Sequence, residues 1–132
     1  MTMKATAKMI NMPVSTKHTV EIARQIRGKS LKKSITYLGE VIEKKKSVPM
    51  KRYNKDTAHK RGISAGRYPH NAAKEILKGL TGVINNALQK GMNPEKLVLS
   101  KIDVGQAVSQ NRRSKRNTGK MTHMYIEVTE SD

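Results

Sequence analysis

Residues 23–30, ARQIRGKS, fit a loose phosphate-loop pattern with Ala in the first position. That chemistry needs a glycine-rich loop after a buried strand, so that backbone N–H groups surround the phosphates. Here Ala23 to Arg27 continue an amphipathic helical pattern, and no apolar strand precedes them. No apolar strand ending in Asp lies nearby to supply a magnesium ligand. His18, His59, His70 and His123 share no metal-ligand spacing. Asp56 and Asp103 sit among cations, where ion pairing is their plain role. No nucleophile, base and orienting group form a set. The sequence therefore predicts a non-enzymatic protein with no cofactor, no metal and no small-molecule substrate.

The residue types that do stand out are cations gathered in two segments. Residues 44–70 hold Lys44, Lys45, Lys46, Lys51, Arg52, Lys55, Lys60, Arg61 and Arg67 against Asp56 alone, nine cations minus one acid, or +8. The stretch 109–120, SQNRRSKRNTGK, adds Arg112, Arg113, Lys115, Arg116 and Lys120 and no acid. Such charge is not needed there for solubility. Arg pairs with phosphate in bidentate fashion and stacks on bases. Tyr53, Tyr68 and His59 supply rings for stacking. Aromatic residues are too sparse for sequence-specific reading of single strands. Recognition of a folded RNA by shape and backbone is the chemistry these segments fit.

Elements must hold those segments. Residues 3–9, MKATAKM, alternate Met3, Ala5, Ala7 and Met9 with Lys4, Thr6 and Lys8, a period-2 strand with one cationic face. Pro13 ends it. Ser15 or Thr16 caps a helix over about 16–27, with Ile22, Ala23 and Ile26 inward and Gly28 as its stop. Ser30 caps a second helix over about 31–45, where Leu31, Ile35, Leu38 and Ile42 form an apolar stripe. Lys44 to Lys46 suit its C-terminal dipole. Residues 47–70 carry no periodicity and read as a long functional loop.

A third helix spans about 71–90. Ala73, Ile76, Leu77, Leu80, Ile84, Ala87 and Leu88 mark its buried face, and Gly91 its stop. Gly79 and Gly82 weaken it, for which close backbone packing is the ordinary reason. Asn93 and Pro94 turn the chain into a strand at 97–104. A return strand at 122–129 has Met124, Ile126 and Val128 on one face. The basic stretch 109–120 lies between these two strands, at the end of a hairpin over about 97–129.

The chain has 132 residues with 27 Lys plus Arg against 10 acids, a formal net charge of +17. A single domain is expected over 1–132. Self-repulsion on that scale calls for a polyanionic partner. Phe, Trp and Cys are absent, and four Tyr and eight Met are present. Aliphatic side chains must therefore form a modest core, one that a bound partner helps to stabilise. No run of 18 apolar residues exists to span a membrane, and residues 1–13 lack the pattern of a secretory signal.

Two readings of a nucleic-acid partner arise. In one, the first two helices and the turn Arg27-Gly28-Lys29-Ser30 form a helix-turn-helix at about 16–45. Lys32, Lys33, Ser34 and Thr36 would then face DNA, making a free-standing basic DNA-binding protein.

The other reading comes from a resemblance. Ile22-Ala23-Arg24, Ile26 to Ser30, Tyr37-Leu38, Val41-Ile42, Val48-Pro49 and Arg52-Tyr53-Asn54 occur in the order of a known family. So do Ala65 to Pro69, Asn86-Ala87, Leu97-Val98, Thr122-His123 and Val128-Thr129-Glu130. The chain resembles the universal large-subunit ribosomal protein twenty-two family, called seventeen in eukaryotes. The Arg-Tyr-Pro before the third helix is similar to the archaeal and eukaryotic branch.

The resemblance implies an α+β fold, three helices packed on a small antiparallel sheet with a long projecting β-hairpin. It implies a cytoplasmic protein of the large ribosomal subunit that binds large-subunit rRNA near the nascent-chain exit. The hairpin would form part of the tunnel wall, beside neighbouring large-subunit proteins and the passing nascent polypeptide. The rRNA-binding residues so expected are Lys17, Arg27, Lys29, Lys51, Arg52, Tyr53, His59, Lys60, Arg61, Arg67, Tyr68, Arg112, Arg113, Lys115, Arg116 and Lys120. Residues 105–121 are expected to be disordered without RNA. Members of this branch usually carry a longer basic hairpin. Here each arm from Val104 to Met124 has at most about 10 residues, or roughly 33 Å.

Overall fold

The computed structural model describes residues 3–52, 58–60, 63–108 and 120–131. Strand β1 (Lys4–Met12) is followed by helices α1 (Thr16–Ile26) and α2 (Leu31–Ile42). Three short strands come next, β2 (Val48–Pro49), β3 (His59–Lys60) and β4 (Ile63–Arg67). Helix α3 (His70–Gln89), a single turn at Pro94–Lys96, and strands β5 (Leu97–Gln106) and β6 (Thr122–Glu130) complete the order. The architecture is the expected α+β one, three helices on a small antiparallel sheet.

That sheet has the order β1-β6-β5, all antiparallel, so the last strand is central. Its inner face carries Ala5, Leu97, Leu99, Ile102, Met124, Ile126 and Val128, all buried. The helices cover that face with Ile22, Ile26, Leu31, Leu38, Ile76 and Leu80. Leu99 and Ile102 are three apart yet both point inward. The register shifts between Leu99 and Lys101, so Ser100 is an extra residue in a bulge. A second shift between Met9 and Met12 lets β1 run past the expected end at residue 9, with Asn11 at φ 58°. The free edge of β1 is covered by α3. Asn86 donates to the Thr6 carbonyl at 2.8 Å, and Lys90 to the Lys4 carbonyl at 2.6 Å. Those bonds occupy acceptors that would otherwise invite another strand.

The N-caps of α1 and α2 are serines: Ser15, of the two candidates Ser15 and Thr16, and Ser30 as expected. Ser15 and Ser30 accept the N–H groups of His18 and Lys33. Gly28 and Gly91 stop α1 and α3 with φ near +79° and +78°, a conformation glycine adopts without a Cβ penalty. Gly79 also has the predicted reason. A Cβ there would run into Met9 Sδ and lie 3.3 Å from Ile126 Cδ1, whereas Gly82 faces open space.

Several expectations need correction. Helix α2 ends at Ile42, and Lys44 takes φ 62° just beyond it, so Lys44 to Lys46 lie past the last turn. On α3 the buried residues are Ala72, Ala73, Ile76, Gly79, Leu80, Val83 and Ala87, while Leu77 and Ile84 are partly buried and Leu88 is 51% exposed. The close approach at Gly79 turns that face toward β1 and β6. Residues 47–70 are not simply a loop. Strands β2, β4 and β3 pair in that order, with Val48 opposite Arg67 and His59 opposite Ala65.

At the hairpin, pairing continues through Gln106 opposite Thr122, and Ala107 donates to the Met121 carbonyl. Residues 105–107 and 121 are thus part of an ordered ladder rather than disordered. The tip, 109–119, lies outside the described residues.

Candidate nucleic-acid interface

Helix α1 organises the first basic cluster. Its N-terminus is tied to the base of the hairpin, where Thr16 and Thr122 hydroxyls meet at 2.8 Å. Thr122 also donates to the Val14 carbonyl at 2.9 Å. His18, half-buried one turn in, reports what surrounds it. Burial first, then the Arg67 guanidinium and the Lys120 ammonium, hold its imidazole below the usual range. Arg67 ends β4 and Lys120 precedes β6, so one charge from each basic segment is felt at the same imidazole. Lys17, in the same turn of α1, is exposed.

One turn further along α1, Glu21 is fully buried. Its carboxylate accepts the backbone N–H of Lys51 at 3.0 Å and of Arg52 at 2.9 Å. Both residues are exposed, so this bond fixes the start of a basic segment against the core while its cations face out. Lys60 lies with its ammonium 5.9 Å from the centroid of the half-buried Tyr68 ring, a cation–π spacing. His59 is placed in β3 by its backbone.

A second cluster surrounds α2. Lys29 lies 5.7 Å from the Tyr37 ring centroid. A cavity of about 600 Å³ opens beside them, bordered also by Lys32, Lys33, Glu40 and Lys46. Burial pushes the Tyr37 hydroxyl up to about 12. Glu40 and Lys46 pair at 3.0 Å.

Of the residues expected to bind RNA, Arg67 and Lys120 lie close enough to His18 to act on its charge and Lys17 is exposed next to it in sequence, while Lys51 and Arg52 are anchored through Glu21. Lys60 and Tyr68 pair with each other, and Lys29 belongs to the second cluster. Arg27 is partly committed to the fold, because its guanidinium donates to the Ile102 carbonyl at 2.8 Å. Tyr53, Arg61, Arg112, Arg113, Lys115 and Arg116 lie outside the described residues.

Sequence reasoning missed Glu21 as an anchor and Tyr37 with Glu40 as site residues. Tyr37 was legible in principle. Positions 29, 32, 33, 36, 37 and 40 repeat at helical spacing as a polar stripe. Among the described residues, no group of His, Asp and Glu could hold a metal ion, and no helix is long and apolar enough to cross a membrane.

The turn between α1 and α2 is not the free connection of a helix-turn-helix. Gly28 donates to the Leu99 carbonyl at 2.9 Å, and Leu99 donates to Lys29 at 3.1 Å. Ser30 bridges Val98. The two helices are clamped to β5.

Comparison with known proteins agrees with this arrangement. The family described as ribosomal protein L22p/L17e matches residues 7–129. The large ribosomal subunit protein uL22 of Archaeoglobus fulgidus is 39% identical over 131 residues, covering 97% of this chain and 84% of that protein. The uL22 protein of Nanoarchaeum equitans is 41% identical, covering 92% of this chain and 75% of its own length. That of Methanococcus aeolicus is 42% identical, covering 83% and 74%. The chain therefore belongs to the ribosomal protein L22p/L17e family, on its archaeal branch, and is a ribosomal structural protein rather than an enzyme.

Proposed function

We propose that the whole chain is one rRNA-binding domain of the cytoplasmic large ribosomal subunit. It binds and organises large-subunit rRNA through residues 47–70 and the base of the hairpin. The hairpin tip contributes to the wall of the nascent-polypeptide exit tunnel, beside neighbouring large-subunit proteins. The observation that supports this most is the convergence of Arg67 and Lys120 on His18. Two basic segments distant in sequence present one cationic surface, and the family's name supplies the polyanion. The DNA-binding reading gives way, because the chain belongs to a ribosomal family and the α1–α2 turn is clamped to β5.

The test is titration of the protein against an archaeal large-subunit rRNA transcript over a range of salt. Each phosphate contact removed should flatten the log K against log salt slope by about 0.7 to 0.9. Arg67→Ala and Lys120→Ala should each do so. If both leave slope and affinity unchanged, the surface around His18 is not the RNA contact. Crosslinking of the tip to a stalled nascent chain tests the tunnel assignment separately.

A further inference from the structure

The cavity on α2 is unlike the open cationic surface near His18. Its border combines an aromatic ring, a hydroxyl, a carboxylate and several ammonium groups. The Tyr37 hydroxyl is buried and has no hydrogen-bond partner among the described residues. A buried polar group without a partner is costly, and each one calls for an explanation. Glu40 lies one turn further along the same helix face, its carboxylate held by Lys46 at 3.0 Å. Lys32 and Lys33 stand exposed at the opposite end of the stripe, and Lys29 sits over the ring at 5.7 Å.

This mixture narrows the ligand. A bare phosphate or sulfate site would gain nothing from a ring and would be repelled by Glu40. A carboxylate beside a tyrosine instead suits the N–H edge of a nucleobase, and the ring suits its face. The ammonium groups of Lys32 and Lys33 suit the phosphates on either side of that base. The volume of about 600 Å³ falls within the range of small-ligand pockets.

We propose that this cavity receives a single unpaired nucleotide of the folded RNA. Its base lies against Tyr37 with its N–H edge toward Glu40, and its flanking phosphates lie at Lys32 and Lys33. The inference rests on the rRNA-binding reading and adds a specific subsite to it. The subsite makes part of the recognition dependent on a bulged or looped-out base rather than on backbone charge alone.

The experiment uses the full chain and an archaeal large-subunit rRNA transcript, with wild type, Tyr37→Phe and Lys32→Ala/Lys33→Ala compared across salt. Tyr37→Phe keeps the ring and removes only the hydroxyl. It should weaken binding about three- to tenfold without altering the salt slope, as loss of one uncharged hydrogen bond does. The free variant should melt at the same temperature as wild type or higher, since it loses an unpartnered buried group. The double lysine variant should flatten the slope by about 1.4 to 1.8, two phosphate contacts.

If wild type binds the transcript and Tyr37→Phe binds equally well, the subsite is wrong while the rRNA reading stands. If wild type fails to bind, the rRNA reading falls and takes the subsite with it. Tight binding of free GMP that Tyr37→Phe abolishes would assign the cavity to a metabolite and overturn the proposal.

Discussion

The buried carboxylate of Glu21 accepts the Arg52 N–H at 2.9 Å across 31 positions of sequence, and the adjacent Lys51 N–H at 3.0 Å. A fully buried carboxylate serving two amides is a strong local constraint, because charge-assisted bonds exceed neutral ones and the carboxylate itself has no water to fall back on. It holds the chain between β2 and β3 against α1 at the point where the exposed cations begin. An acidic residue thereby orients two exposed cations.

Glu21→Ala should cost roughly 2–3 kcal/mol of folding stability, from leaving two amides without their acceptor. Glu21→Gln keeps an oxygen of similar size and should cost less than Ala. Urea denaturation of the three proteins measures this. A loss below about 0.5 kcal/mol for the Ala variant, the range of ordinary surface substitutions, would show that the amides find other partners.

Gly79 and Gly82, three residues apart on α3, should respond in opposite directions. Gly82 faces open space in ordinary helical backbone, so Gly82→Ala should stabilise by about 0.5–1 kcal/mol through helix propensity. Gly79→Val should destabilise by about 1–3 kcal/mol, because its branched side chain must displace Met9 and press on Ile126 and Met124. Thermal melting decides the matter. Equal signs for the two variants would mean that the helix can lift off the sheet at little cost.

These glycines also show how far a sequence can be read. Two glycines inside an amphipathic helix announced close packing, yet nothing distinguished the one that touches Met9 from the one that touches nothing. The helices themselves were legible, because Ile22, Ala23 and Ile26, or Leu31 and Leu38, recur at the period that buries one face. The sheet at 48–67 was not. Strands of two to five residues leave no alternation to read, and Pro49 opposite Gly66 looks like a loop on composition. Charge pointed to residues 44–70 and 109–120 as the candidate interface. It gave no hint of Glu21, because the partner of a single acid 31 positions away has no local signature.

His18 makes the interface sensitive to pH. Its pKa in the folded chain lies below the ordinary value of 6.5, through burial and the charges of Arg67 and Lys120. Between those two values the unfolded chain binds more protons than the folded one, so stability falls as pH drops through that window. RNA phosphates beside Arg67 and Lys120 act in the opposite sense and favour the imidazolium, so binding should strengthen over the same window. The melting temperature of the free protein should therefore fall by a few degrees between about pH 7.5 and 5.5, while affinity for the transcript rises. His18→Gln should reduce both trends. A variant that keeps the full pH dependence of both would place their origin elsewhere.

The hairpin offers the sharpest separation of fold from function. Gln106 is opposite Thr122, and the next residues, Ala107 and Met121, are joined by a backbone bond of 3.2 Å. Among the described residues Ala107 and Met121 are the last hydrogen-bonded pair, so Val108 and Lys120 with two residues between them close the ladder as a four-residue loop. Asn and Gly are turn-forming residues that suit the middle of such a loop. Replacing 109–119 by Asn-Gly leaves the core side chains of the sheet and the helices untouched. It also keeps Lys120 beside His18. The shortened protein should melt within a few degrees of wild type and co-sediment with the large subunit. What it should lose is crosslinking to a stalled nascent chain, which depends on Arg112, Arg113, Lys115 and Arg116 reaching the tunnel. Unfolding of the shortened protein would show that the tip serves the fold. A wild-type tip that never crosslinks would remove the tunnel assignment while leaving rRNA binding at the hairpin base intact.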